Sequence, residues 1–181
     1  LAGIPAIATV TGLGYTFLNR GFVNRLVPWL YRLAFRRTRR VVFYNEDDRR
    51  LFQQWGLVRP PASSAVIPGS GVNTNHYRPL PQPESDRFVF LFIGRLLYDK
   101  GLREFVEAAA AIRHRHPRVE CWVIGELNPR NPAAVSKEEM VRWIEQQHIR
   151  YWGVAKDVRP YIKRADAIVL PSYREGVPRS L

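Results

Sequence analysis

The sequence predicts an α/β fold of two parallel-sheet domains, on three observations. Short apolar runs such as FVFLFI, Phe88–Ile93, alternate along the chain with segments whose apolar residues recur at helical spacing. Those runs are continuously apolar, the pattern of parallel strands covered on both faces. A stiff polar stretch carrying Pro79, Pro81 and Pro83 interrupts the alternation once, after which it restarts. The expected organisation is a first domain over 1–75, a linker over 76–87 and a second domain over 88–181, each Rossmann-like.

In the first domain Ile4 to Val10 reads as a buried strand, followed by the glycine-containing turn TGLGYTF. A helical stretch runs on to about Thr38, with Pro28 fixing a start or a kink. Val41 to Tyr44 is the next strand. Asn45 caps a helix whose first turn holds Glu46, Asp47 and Asp48, where acids favour the helix dipole, and Gly56 ends it. Ala65 to Ile67 is a short strand closed by PGSGVN. In the second domain, strand Phe88 to Ile93 leads through GRLLYDKG to a helix from Leu102 to about His114, which Pro117 stops. Strand Glu120 to Ile124 runs into a loop rich in Asn and Pro. Ser136 with Glu139 forms a capping box for a helix reaching Gln147. Strand Ile149 to Trp152, a short helix from Asp157 to Arg164 and strand Ala167 to Leu170 follow, and Pro178 suits the first position of a further helix.

Composition narrows the function classes. At 46% hydrophobic the chain is too apolar to be disordered. A net charge of +12, from 28 basic against 16 acidic residues, points to an anionic partner: nucleic acid, acidic lipid or a diphosphate-bearing small molecule. A single cysteine, Cys121, excludes an internal disulfide framework and fits a reducing, cytoplasmic compartment. His76, His114, His116 and His148 lack metal-ligand spacing, so no metal is expected. No apolar run is long enough to cross a bilayer. The first residues lack a start methionine and a charged n-region, and read as a strand entered mid-protein.

Ligands of open parallel sheets bind beyond the carboxyl ends of the strands, which singles out TGLGYTF, GRLLYDKG, GELNPRNP and PSYREG. In GRLLYDKG, Gly94 permits a close backbone turn. Arg95 can fork onto two phosphate oxygens and Lys100 adds a second cation before the helix start at Gly101. The alternative is that Arg95 staples Asp99 and Lys100 is solvated. In PSYREG, Glu175, held by Gly176, can accept hydrogen bonds from a sugar or stabilise a developing oxocarbenium ion. The alternative is an acid paired with Arg174 or Arg179 in solvent. TGLGYTF lacks the full dinucleotide fingerprint, so NAD is not expected. From Arg20 to Arg40 there are seven arginines (20, 25, 32, 36, 37, 39, 40) and no acid. That segment reads either as a basic amphipathic helix on anionic lipid, with Trp29 and Tyr31 at the interface, or as a helix with an arginine-rich solvent face.

Together VTGLGYTF, NEDDRRLF, IPGSGVNTNHYRP, FLFIGRLLYDKGLREFVEAA, VIGELNPRNP, the YWG strand end and LPSYREGVPRSL resemble the retaining glycosyltransferases of family four, whose fold is GT-B. The resemblance spans nearly the whole chain. It implies transfer of a sugar, with retention and without metal or other cofactor, from a nucleoside diphosphate donor of the UDP-sugar kind. Arg95 and Lys100 match the diphosphate-binding pair, and Glu175 matches the first acid of a Glu-x7-Glu motif near the donor sugar. Gly153 and Val154 match backbone contacts to the nucleobase, and Gly94 and Gly176 belong to the same loops. TGLG and NEDD are most similar to the bacterial branch acting on polyprenyl-diphosphate-linked oligosaccharides in surface polysaccharide or glycoprotein synthesis. The implied partners are the donor, a glycan or polyprenyl-diphosphate-linked acceptor and an anionic membrane surface at the inner face, with no nucleic acid.

Three family features are absent: the second acid, which would follow Leu181, the opening glycine-rich loop, and a histidine near TGLG. Both domains are therefore expected to be incomplete and the chain an internal piece of a longer enzyme. Its rivals are a UDP-sugar epimerase of the same fold and a non-catalytic basic membrane-binding module.

Overall fold

A computed structural model describes residues 6–13, 23–36, 38–58, 64–128 and 130–180. The chain forms two compact units, Leu1–Val72 with Glu175–Arg179, and Asn73–Arg174 with Ser180–Leu181.

In the first unit β1 (Ala6–Val10), α1 (Val23–Phe35), β2 (Thr38–Phe43), α2 (Glu46–Gln54) and β3 (Ser64–Val66) build a three-stranded sheet in the order β1-β2-β3. Both pairings are parallel. Val10, Val41, Phe43, Phe52 and Leu57 form its core, with Tyr31 and Phe35 of α1 packed against it. Phe52 meets Tyr31 and Phe43 edge-on, ring centroids 5.0 and 5.2 Å apart. The Asn45 side chain caps α2 by accepting from the Asp48 amide at 2.7 Å, as its sequence position requires.

Of a start or a kink, Pro28 does not fix the start, since it lies inside α1. One expectation for this unit is corrected. Strand β2 begins at Thr38, three residues before Val41, because Arg40 pairs with Ile7 of β1. Backbone pairing makes no demand on the side chains of Arg39 and Arg40, which point to solvent. The TGLGYTF turn lies outside the described residues beyond Leu13.

The second unit contains β4 (Phe88–Ile93), a 3-10 turn at Tyr98–Lys100, α3 (Leu102–Arg115), β5 (Val119–Ile124), α4 (Lys137–Glu145), β6 (Arg150–Tyr151), α5 (Arg159–Ile162) and β7 (Ala167–Ile168). Its sheet is parallel, in the order β6-β5-β4-β7. Alternation along β4 and β5 feeds two cores. Phe92, Cys121 and Val123 pack with Leu102, Phe105, Val106, Met140 and Trp143 of α3 and α4. Val89, Leu91, Trp122 and Ile124 pack on the opposite face with Tyr161 and Ile162 of α5. Each fully buried side chain among them contributes about 1.5–3 kcal/mol through removal from water.

The proline-bearing segment adopts no regular structure, and it is tied to this second unit. Gln82 donates to Asp166 at 2.9 Å, and Asp166 in turn accepts from the Val89 amide at 2.7 Å. Arg159 donates to the His76 carbonyl at 3.4 Å. At the carboxyl end Pro178 lies among turns, and no helix forms between Glu175 and Ser180. The α/β expectation of two parallel sheets holds throughout.

Candidate active site

Strand order locates the site. From β4 the chain adds β5 and then β6 on one flank, and β7 returns to the other. The direction of winding therefore reverses between β4 and β7, the place where open parallel sheets hold ligands beyond their carboxyl ends. The two loops leaving that point are the stretches around Arg95–Lys100 and Pro171–Arg174.

The first loop is held rigidly. The Gly94 amide donates to Ile124 O at 3.0 Å, the Leu96 amide to Glu126 O at 3.2 Å and the Tyr98 amide to Ala133 O at 3.0 Å. Leu96 and Leu97 are buried beneath it. This anchoring leaves Arg95 exposed and Lys100 half-buried immediately before α3. Arg95 and Asp99 form no ion pair, and Asp99 Oδ1 is buried without a hydrogen-bond partner. The loop-staple alternative is thus not what the fold adopts.

The second loop clamps onto the first. The Tyr173 amide donates to Asp99 O at 3.0 Å, and the Tyr173 hydroxyl donates to Glu104 on α3. Gly101 sits at φ +71°, and a Cβ there would lie 2.1 Å from Pro171 O. Behind this pair, Glu139 of α4 accepts from the Tyr98 hydroxyl and, at 2.8 Å, from Arg103, whose guanidinium lies 4.5 Å from the Tyr98 ring centroid. Burial raises the Glu139 pKa, but the bonds from Tyr98 and Arg103 outweigh it and hold the carboxyl below its ordinary value.

On the neighbouring strands Gly125 accepts the Tyr151 hydroxyl at 2.8 Å, and its amide donates to Gly153 O at 2.9 Å. Gly153 takes φ +71°, and Val154 beside it is 69% exposed. Gly94, Arg95, Lys100, Gly153 and Val154 therefore all belong to loops at the carboxyl ends of the second unit's sheet.

Glu175 and Gly176 are counted with the first unit. Glu175 is half-buried. A Cβ at Gly176 would lie 2.0 Å from Thr11 O, and Asn45 Nδ2 donates to Gly176 O at 3.1 Å. Val177 packs against Gly69, whose added Cβ would meet it at 3.1 Å. The segment Gly176–Val177 thus touches the loops after β1, β2 and β3.

Sequence reasoning overlooked Gly125, whose added Cβ would lie 1.7 Å from Gly94 O. The signal was present: FIG and VIG end two strands, and Ile93 and Ile124 stand in register. It also missed the second bond of Asn45 and the two bonds of Tyr173, which join positions remote in sequence. Cys121 is core, its thiol pushed up to about 11 by burial. Among the described residues no three His, Cys, Asp or Glu side chains gather as a metal cage, and no helix is long and apolar enough to cross a membrane.

The chain is 28% identical over 197 residues to the Campylobacter jejuni N,N'-diacetylbacillosaminyl-diphospho-undecaprenol alpha-1,3-N-acetylgalactosaminyltransferase, covering 99% of this chain and 50% of that protein. It is 26% identical over 195 residues to the Escherichia coli UDP-Gal:alpha-D-GlcNAc-diphosphoundecaprenol alpha-1,3-galactosyltransferase, covering 100% and 49%. The chain thus spans about half the length of these relatives. S. aureus TarM shares its fold with a TM-score of 0.68 at 12% identity, over 97% of this chain and 34% of TarM. HepE of Anabaena, solved with UDP and glucose, does so with a TM-score of 0.66 at 17% identity, over 95% of this chain and 47% of HepE. The α/β architecture is accordingly that of the GT-B glycosyltransferases. A family model, Glycosyl transferases group 1, matches residues 87–181, more than half of the chain and the whole of the sheet that carries Arg95 and Lys100, and the chain belongs to that family.

Proposed function

We propose that the complete protein transfers a sugar, with retention and without a metal ion, from a UDP-sugar to a hydroxyl of a polyprenyl-diphosphate-linked or glycan acceptor. The observation that carries this reading is the pair of cations, Arg95 and Lys100, on a rigid loop at the reversal of strand order between β4 and β7. A diphosphate placed there meets a guanidinium fork, an ammonium and the amino end of α3. The named activities of the relatives from C. jejuni and E. coli support the class of acceptor.

In the reaction the anomeric carbon–oxygen bond to the diphosphate breaks and a new bond forms to the acceptor oxygen. The acceptor proton passes to a diphosphate oxygen on the same face of the sugar, so configuration is kept. Arg95 and Lys100 stabilise the charge that builds on the departing diphosphate, an interaction stronger in the transition state than in the ground state. Glu175 is assigned to the donor sugar, as hydrogen-bond acceptor or nucleophile, and Gly153 and Val154 to the nucleobase through their backbone.

The test uses the full-length enzyme. UDP at a hundred times its Kd stabilises a folded protein by about 2.7 kcal/mol. The expected result is a raised melting temperature with UDP but not UMP, lost in Arg95→Ala and in Lys100→Ala, and sugar transfer to a polyprenyl-diphosphate acceptor with the anomeric configuration of the donor retained. Protection unchanged by both substitutions would falsify the assignment, and release of free epimerised sugar in place of a glycosylated acceptor would replace it.

A further inference from the structure

The loop after β7 is fixed by more than its strand. Strand β7 pairs with β4 over two residues, Ala167 and Ile168, and the Val169 amide adds a bond to Leu91 O at 2.9 Å. Farther along, Tyr173 fastens the chain at two points. Its amide donates to Asp99 O at 3.0 Å and its hydroxyl to the Glu104 carboxylate. These acceptors bracket Lys100 and Gly101, Asp99 in the 3-10 turn and Glu104 in the first turn of α3. One bond fixes a point of a loop, whereas two bonds at opposite ends of a rigid ring residue also fix its direction.

Burial does not account for the tie. The Tyr173 ring is 67% exposed, so removal of apolar surface from water does little to hold it. Glu104 is exposed as well. Its carboxyl is kept below its ordinary value by the Tyr173 hydroxyl and by a bond from its own amide, so the ionised form accepts the phenol. Diphosphate binding gives no reason for this acid, because a carboxylate in the first turn of α3 opposes an anion brought to that end. The cation loop does not need it either. The amides of Gly94, Leu96 and Tyr98 and the Tyr98 hydroxyl fasten that loop to other partners.

We propose that Tyr173 is a positioning residue for the transfer reaction: tied to Glu104, it fixes the course of the chain that leads, two residues on, to Glu175, and it takes no part in holding the diphosphate. This role rests on the transfer reading of the site.

The full-length enzyme is assayed with UDP-galactose and UDP-N-acetylgalactosamine as donors and GlcNAc-diphosphoundecaprenol as acceptor. Small misplacement of a group at the reacting centre lowers turnover, so Tyr173→Phe is expected to reduce kcat about tenfold with the donor KM within about twofold of wild type. Its rise in melting temperature with UDP is expected to match wild type, because the amide bond to Asp99 survives. Glu104→Ala is expected to reduce kcat about tenfold too, and the double variant by about tenfold rather than a hundredfold, since both remove one bond. Glu104→Gln keeps an acceptor oxygen and is expected to stay within about threefold of wild type. The role is overturned by wild-type kcat in Tyr173→Phe, which leaves Glu104 as a helix-end acid only, or by single effects that multiply in the double variant. Loss of UDP protection in step with kcat also overturns it, because the phenol would then hold the binding loop as a whole. Wild-type enzyme that transfers neither sugar overturns the transfer reading, and this role with it, before any variant is compared.

Discussion

A methyl group added to Gly101 would stand 2.1 Å from the carbonyl oxygen of Pro171. Two loops that are far apart in sequence are thereby in backbone contact where the strand order reverses, and Gly101 also takes φ +71°, which side chains rarely adopt. Gly101→Ala has to move the loop after β7 or strain its own backbone. The expected outcome is a loss of about 1–3 kcal/mol of stability and of nucleotide binding with it. Thermal melts with and without UDP check this, and an alanine variant as stable as wild type contradicts the contact.

Asn45 performs two jobs that substitution can separate. Its Oδ1 caps α2, and its Nδ2 donates to Asp48 Oδ2 at 3.2 Å and to Gly176 O at 3.1 Å. Asn45→Ala is expected to cost about 1–2 kcal/mol. Asn45→Ser keeps the cap and drops the donors, so stability is expected to recover in large part. Amide exchange at Val177 is expected to be faster than in the wild type in both variants. Recovery of slow exchange in the serine variant shows that the Gly176 bond does not hold the segment.

Acid sensitivity is expected of the second unit. Glu104 is held below its ordinary value of 4.5 by the Tyr173 hydroxyl. Glu120 and Glu139 are pushed up by burial but held lower on balance by bonds from Trp122 and Arg87, and from Tyr98 and Arg103. Arg159 lowers Asp157 to about 2. Each group binds its proton more weakly folded than unfolded, so their stabilisation is complete above the ordinary carboxylate range and is lost as pH falls through the lowered values. Tyr98→Phe is expected to shift the acid unfolding midpoint upward and to cost about 1 kcal/mol at neutral pH. An unchanged midpoint removes the Tyr98–Glu139 bond from the account.

The Cys121 thiol is buried, and its pKa is pushed up to about 11 by that burial. Because the thiolate is the reactive form, labelling by a disulfide reagent at neutral pH is expected only after unfolding. Rapid labelling of the native protein means that the strand opens.

Where local chemistry decides the structure, the sequence was readable. Asn45 and Ser136 cap the helices their spacing announced, and β4 spans Phe88–Ile93 as its apolar run indicates. The misreadings arise where distant pairing decides. Arg40 is paired with Ile7 of β1, with Arg39 in the register shift beside it, and β7 is paired at Ala167–Ile168 alone, shorter than its apolar run through Leu170. The 3-10 turn at Tyr98–Lys100 went unseen because nothing in YDK demands it, and it depends on Ala133 and Leu97 for its bonds. The candidate site divides along the same line. The cations and glycines after β4 announce themselves locally, whereas the holding of Gly176 by Asn45, 131 positions away, does not.

The five tryptophans sort themselves by unit. Trp29 and Trp55, in the first, face water, whereas Trp122 and Trp143 are enclosed in the second, and Trp152 stacks edge-on against Trp122 with ring centroids 5.2 Å apart. Indoles in water emit to the red of indoles in hydrocarbon surroundings, and two rings this close couple their ultraviolet transitions. The native molecule thus carries an intrinsic two-colour optical readout, in which the melting of one sheet can be followed apart from the other without any dye.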